Sequence, residues 1–254
     1  MPRKRQPHDP EAGLDIRSLA SGYFPGGVIE SHKHDWHQLV YATKGVMMVN
    51  TPDSSWVVPS HRAVWVPAAT EHEIEMIGAV NLRTLYIKTG LRSSLPGQCC
   101  VVNVSPLLRE LILLTIKIGM LDRFVPKQNR LIGVILDQLE TLSTAPLKLP
   151  LPRDARAMRV VELLRADPAE NHSLDGLSNQ VGASKRTIER LFLSEAGLTF
   201  GKWRQQFRML HALRLLASGE SVTTAALEVG YDSTSAFISA FKTALGTTPG
   251  RYYQ

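Results

Sequence analysis

The chain has 254 residues, enough for two domains that each bury a core, and its 44% hydrophobic and 20% charged content is that of an ordinary globular protein. No apolar run approaches the length of a membrane span, which excludes a helical membrane protein and any membrane partner. The net charge of +6 and the pI near 9.4 suit a polyanion, but the excess is shared evenly: 16 Lys plus Arg against 13 Asp plus Glu up to residue 152, then 13 against 10. Placement of charge, not its total, must therefore carry any nucleic-acid argument. The start, Met1-Pro2-Arg3-Lys4-Arg5, is basic but lacks a following apolar run. It is no secretory signal, and residues 1–13 read as a disordered tail.

From 14 to 104 the pattern is that of short strands. Candidates are Tyr23 to Ile29 broken by Pro25-Gly26-Gly27, Gln38 to Tyr41, and Val46 to Asn50 after a Lys44-Gly45 turn. Trp56 to Val58, Ala63 to Val66, His72 to Ile77, Leu82 to Lys88 and Cys99 to Val104 follow. Many short strands separated by Gly, Pro and Asp predict a β-sandwich or barrel. The only cysteines, Cys99 and Cys100, are adjacent. A disulfide between neighbours is strained and no metal spacing exists, so both are expected to be plain strand residues of a cytoplasmic protein.

Three histidines stand out. Residues i and i+2 of a strand share a face, so His32 and His34 can point into a barrel together, and His72 can join from a facing strand. His32-Lys33-His34, Gln38 and Gly45, then Pro67-Ala68-Ala69-Thr70-Glu71-His72, resemble the two motifs of the cupin fold, a small jelly roll, with alanine where many cupins have glycine. The resemblance implies a site for an effector or a divalent metal, with His32, His34 and His72 as the metal ligands. Gln38 stands where metallocupins have glutamate and brings no charge, which weakens a metal set. The other reading is that these histidines are hydrogen-bonded remnants beside a pocket for an organic effector, or beside none. Trp36, Tyr41, Trp65 and Met76 are candidates for the rest of an effector pocket, though aromatics are more often plain core.

Ser105-Pro106 is an N-cap with proline in the first turn. Leu107, Leu108, Leu111, Leu114, Ile118 and Leu121 then make a wide apolar stripe, and Asn129 to Thr141 repeats it with Leu131, Ile132, Ile135, Leu136 and Leu139. These helices over 105–142 either pair two chains or pack onto their own sheet. Residues 143–152 hold three prolines and read as a semi-rigid linker. A helix from Arg153 to Arg165, with Ala157, Val160, Val161 and Leu164 inward, opens the C-terminal domain, 153–254.

That domain contains a repeat. Val181-Gly182-Ala183-Ser184 matches Val229-Gly230-Tyr231-Asp232-Ser233 with one extra residue in the second copy, and then Phe192, Gly197, Thr199, Gly201 and Trp203 answer Phe241, Gly246, Thr248, Gly250 and Tyr252. Each copy reads as helix-turn-helix. Leu174 to Val181 ends at Gly182 and Ser184 caps a second helix; Ala225 to Val229 ends at Gly230 and Asp232 or Ser233 caps its partner. Ala225, Ala226 and Ala236 are small enough for close helix crossing. Ile188, Leu191 and Phe192 are buried in one copy and Phe237, Ala240 and Phe241 in the other. What remains outward is Lys185, Arg186, Thr187, Glu189 and Arg190, then Thr234, Ser235, Ile238 and Ser239. Arginine can pair bidentately with guanine and glutamate can accept from cytosine, whereas the second set is short and nearly uncharged. The first helix should carry most of the specificity.

Val229-Gly230-Tyr231-Asp232-Ser233, Ala236-Phe237-Ile238-Ser239-Ala240-Phe241-Lys242 and Gly246-Thr247-Thr248-Pro249-Gly250-Arg251-Tyr252 closely resemble the C-terminal signature of the AraC/XylS family of bacterial transcription regulators, over roughly the last hundred residues. The resemblance implies seven helices in two subdomains joined by a long helix at Thr199 to Ala217, with both recognition helices in successive major grooves. The DNA-binding set it implies is Ser184, Lys185, Arg186, Thr187, Glu189, Arg190, Ser233, Thr234, Ser235, Ile238, Ser239 and Lys242. In the second helix many relatives carry longer polar side chains.

The expected fold is α+β in two domains: a cupin-like β-barrel with two flanking helices, then an all-α double helix-turn-helix domain. The expected function is a non-enzymatic, homodimeric regulator that binds double-stranded DNA under control of a small-molecule or metal effector, with RNA polymerase as a partner if it activates. Effector binding must favour one arrangement by binding it more tightly. The competing reading is a metal-dependent cupin enzyme fused to a DNA-binding domain, which Gln38 and the absence of a carboxylate pair oppose.

Overall fold

The computed structural model describes residues 14–60, 62–141, 144–145, 148–169 and 172–252, so the tail read over 1–13 lies outside the described residues. The chain divides into two compact units, Met1–Thr51 with Val58–Pro146, and Pro52–Val57 with Leu147–Gln254. No helix among the described residues is long and apolar enough to cross a membrane.

The first unit is built on two long strands, β3 (His37–Thr51) and β6 (His72–Ile87), which pair antiparallel from His37↔Ile87 to Asn50↔Glu73. The sequence expects each to be two short strands. The Lys44-Gly45 turn is instead a bulge: register shifts on either side of Lys44, and Gly45 takes φ 89° with Ala79 O only 2.4 Å from where a Cβ would stand. Gly78 does the same for β6 at φ 74°. β1 (Ile16–Tyr23) and β2 (Val28–His32) share β6 as a neighbour, while β5 (Arg62–Val66), β7 (Cys100–Asn103) and the two-residue β9 (Thr144–Ala145) extend the other side. β8 (Met120–Leu121) lies against β1. The strand set is cupin-like, but the expected barrel is not closed among the described residues: the paired path runs from β8 to β9 and its ends do not meet.

Two helices cover one face of this sheet. α1 (Pro106–Ile118) starts where Ser105 Oγ accepts from Leu108 N and stops at Gly119, φ 91°; α2 is Pro126–Glu140. Leu108, Leu111 and Ile112 of α1 and Ile132, Ile135, Leu136 and Leu139 of α2 bury themselves with Ile16, Leu39, Tyr41, Trp65, Leu85, Ile87 and Val102. Intramolecular packing thus accounts for the inner stripe. Leu107, Leu114, Ile118 and Val134 remain exposed.

The second unit is helical, with α3 (Ala155–Ala166), α4 (Leu174–Gln180), α5 (Lys185–Ala196), α6 (Phe200–Ala217), α7 (Val222–Glu228), α8 (Thr234–Leu245) and α9 (Pro249–Tyr252). The residues read as a linker are strapped onto it. β10 (Lys148–Pro150) pairs with Ser54–Trp56 of β4 (Ser54–Pro59), Leu149 and Leu151 are buried, and Trp203 Nε1 donates to Pro150 O at 2.6 Å. Apolar side chains at 149 and 151, not the prolines, decide this: exposing two leucines would cost more than docking them. Glu195 of α5 also accepts from Arg153 N and Asp154 N at 2.6 and 2.9 Å, just where Asp154 caps α3.

Candidate functional site

The His32, His34, Gln38 and His72 side chains meet in the first unit. β2 and β6 pair His32 with His72, and the ring centroids of the three histidines lie 4.4 to 5.8 Å apart. Each ring is held the same way. His32 Nδ1 donates to Glu30 O at 2.8 Å, His34 Nδ1 to Trp36 O at 2.7 Å, and His72 Nδ1 to Thr70 O at 2.9 Å. A main-chain carbonyl cannot donate, so Nδ1 carries the proton and each Nε2 of a neutral ring presents a lone pair. One nitrogen from each ring lies within 4.8 Å of the others.

Burial keeps His72 neutral. His72 is fully buried, and its pKa is held down to about 4, by desolvation first and by the charges His32 and His34 would carry, against the Thr70 carbonyl. Gln38 Oε1 lies 3.0 Å from His34 Nε2 and 2.9 Å from His72 Nε2, and its amide nitrogen is 3.0 Å from Thr84 Oγ1. Neutral rings protonated at Nδ1 cannot donate to that oxygen. Two arrangements satisfy the contact: the amide turns its N–H groups to both rings, or a cation is shared by the oxygen and the lone pairs. Three nitrogens of locked tautomer and one amide oxygen therefore fit a borderline-soft divalent ion, without the charge a carboxylate would add.

The rest of the expected effector set separates. Tyr41 and Trp65 lie on the other face of the sheet, in the core beneath α1 and α2, because 41 is odd in register to 38 and Trp65 pairs with Leu39. Trp65 Nε1 is spent on Pro96 O at 2.8 Å. Trp36 contributes its carbonyl, which accepts from His34 Nδ1. Met76 shares the His72 face by alternation but sits four residues along, beside Gly27. Two residues of the site were not anticipated. Thr84 anchors the Gln38 amide, and Tyr86, paired with Gln38, sets its ring 5.3 Å from His34, edge to face. No motif marked them: the same strand carries Asn81 and Arg83, which are more polar and point away from the histidines.

In the second unit the repeat is reproduced cap by cap. Ser173 and Ser221 cap α4 and α7, Gly182 and Gly230 turn at φ 66° and 77°, Ser184 and Ser233 cap α5 and α8, and Gly197 and Gly246 end them at φ 70° and 80°. Of the two expected caps, Ser233 is the one used. Phe192 packs edge-on against Trp203 and Phe200, as Phe241 does against Phe237 and Tyr252. Ala225 and Ala226 are buried, whereas Ala236 is exposed, one residue before the inward Phe237. Lys185, Arg186, Glu189 and Arg190 are exposed on α5, and Ser235, Ser239 and Lys242 on α8; Thr187, Thr234 and Ile238 are half-buried.

These two constructions have counterparts among known proteins. Residues 177–254 match the helix-turn-helix domain family and residues 18–114 the AraC-like ligand binding domain family. The HTH-type transcriptional regulator NimR of Escherichia coli K12 is 36% identical over 221 residues, 87% of this chain and 81% of that protein. The chain belongs to the AraC/XylS family of transcription regulators. The HTH-type transcriptional regulator RipA of Corynebacterium glutamicum is 38% identical over 104 residues, 41% of this chain and 31% of that one. ToxT of Vibrio cholerae superposes with a TM-score of 0.41 at 12% identity, over 94% of this chain and 98% of its own. As an AraC-family regulator the chain binds DNA through the helical unit and answers to an effector through the sheet unit.

Proposed function

We propose that this AraC-family regulator senses a divalent first-row transition metal ion at His32, His34, His72 and Gln38, and reads its operator mainly with α5. The observation that carries the ligand is the common anchoring of three Nδ1–H groups to main-chain carbonyls, which leaves the three Nε2 lone pairs as ligand atoms in a cluster whose rings each bring a nitrogen within 4.8 Å of the others. Bound there, the ion would supply a positive charge joining three neutral rings to the Gln38 amide. The chain's part is to hold ring orientation and to keep His72 unprotonated at neutral pH. Purification without a histidine tag, elemental analysis and titration with Zn²⁺, Ni²⁺ and Mn²⁺ test this. One equivalent that shifts DNA affinity supports it; metal that stays substoichiometric under titration overturns it.

For DNA, the exposed Arg186, Glu189 and Arg190 support base reading by α5, with Ser184, Lys185 and Thr187 at its N-terminal turn. Lys185 already pairs with Asp175 at 3.4 Å on the surface, so its role is phosphate contact at most. Ser233, Thr234, Ser235, Ile238, Ser239 and Lys242, short and nearly uncharged apart from the lysine, support a reading in which α8 enters the next groove with little discrimination. The exposed Leu107, Leu114 and Ile118 stripe of α1 supports pairing of two chains, and RNA polymerase is the partner wherever the regulator activates. A sensing role fits the histidine cluster better than catalysis, since a His72 pKa of about 4 is far from that of a general base at neutral pH. The compartment is the cytoplasm, where the DNA is.

A further inference from the structure

An exposed leucine alone means little, yet four observations set Leu193 apart. It is 57% exposed although it lies on a helix whose neighbouring positions 191 and 192 are fully committed to the core. On a helix of 3.6 residues per turn it falls about 20° from Arg186, between Glu189 and Arg190 in angle, and about 10 Å further along the axis. It also lines, with Arg186, Glu189, Arg190 and Phe200, a groove of about 480 Å³. The repeat supplies the fourth observation. The offset that equates Phe192 with Phe241 equates Leu193 with Lys242, an exposed cation on the outward side of α8.

We infer that Leu193 is a specificity-determining residue that packs on the C5-methyl of a thymine, about three base steps beyond the base read by Arg186. This rests on the reading that α5 lies in the major groove. At the same slot of α8 a lysine can meet a phosphate; a leucine cannot. Flanked by two arginines that draw in the duplex, it requires an apolar feature of that duplex. The thymine methyl is the one apolar group on the major-groove base edges. The binding site therefore extends past the reach of the polar readers, and carries a T·A pair at that position which no hydrogen bond explains.

The test uses the full chain and a duplex selected from a random library. Each thymine is replaced singly by uracil, which removes only the methyl. One replacement should weaken wild-type binding about fourfold, the value of one buried methyl group, and Leu193→Ala should be insensitive to that same replacement. Leu193→Lys, copying the second head, should also lose the uracil effect while binding becomes steeper in salt by about one unit of log–log slope. A Leu193→Ala protein that keeps the full uracil pattern overturns the inference, as does a wild type indifferent to every uracil while Arg190→Ala still loses base discrimination. If Arg190→Ala changes nothing either, it is the placement of α5 in the groove that has failed. If Leu193→Ala alters only recruitment of RNA polymerase, the leucine serves a protein partner and the inference falls.

Discussion

Acidification from pH 7.5 to pH 5 should loosen the sheet unit, and His72 sets the amount. Unfolded, this imidazole titrates near 6.5; folded, near 4. The native state thus binds fewer protons than the unfolded one, and the stability this confers is full above 6.5 and is lost as pH falls toward 4. A gap of about 2.5 pKa units corresponds to about 3.4 kcal/mol in all, of which about 2 kcal/mol is gone by pH 5. His72→Asn keeps an N–H near the position of Nδ1 to donate to Thr70 O but cannot titrate, so the variant starts weaker and changes less. Hydrogen exchange read by mass spectrometry, corrected for intrinsic rates, scores the strands apart from the helices. The wild-type β6 amides should lose about 2 kcal/mol of protection between the two pH values on account of His72, and the variant's should lose clearly less, keeping only the acid sensitivity of residues such as His37, whose pKa burial also lowers. His211, also held near 4, by burial first and then by Arg214, should make the helical unit acid-sensitive in both proteins. A variant sheet that loses as much protection as the wild type would refute the reasoning.

Three further outcomes are expected. Arg190→Ala should cost roughly 5- to 150-fold in discrimination among single-base operator variants, the range of a bidentate pair at about 1–3 kcal/mol, while Ser235→Ala should cost less than about tenfold; anisotropy titrations showing the reverse contradict the assignment of specificity to α5. Ala69 adopts φ 60° in the loop between His34 and His72, where its N–H donates to His34 O at 2.8 Å. An L-residue there costs about 1–2 kcal/mol and glycine's extra unfolded freedom returns about 0.4–1 kcal/mol, so Ala69→Gly should raise the sheet unit's melting temperature in calorimetry; a fall contradicts the strain. Leu114→Arg, on the exposed stripe of α1, should convert a sedimenting dimer to a monomer at micromolar concentration without changing far-UV circular dichroism; an unchanged dimer removes α1 from the interface.

What could be read without coordinates depended on the range of the signal. The helix-turn-helix pair was legible to the cap because Ser184, Gly197, Ser233 and Gly246 act within a few residues of themselves, and repetition doubled every cue. The histidine cluster was legible as a set of residues, but not for the expected reason: β2 ends at His32, so His34 joins from the loop before β3 and not from a shared strand face. Tyr41 and Trp65 went to the wrong face because membership of a pocket depends on parity relative to Gln38 across a neighbouring strand, which no local pattern reports. Gly45 looked like a turn because a bulge and a hairpin ask the same positive φ of glycine; only the pairing partner distinguishes them. The strap at 148–151 was hidden by its prolines, and Thr84 and Tyr86 by the lack of any motif around them.

The claim on which the rest stands is that α5 and α8 occupy successive major grooves of one duplex. Methylation protection of guanine N7 on the selected operator measures it most directly. The account predicts two protected windows about 10 base pairs apart on one face, the α5 window vanishing in Arg186→Ala/Arg190→Ala while the other persists. A single window, minor-groove protection alone, or protection unaffected by those substitutions would contradict it.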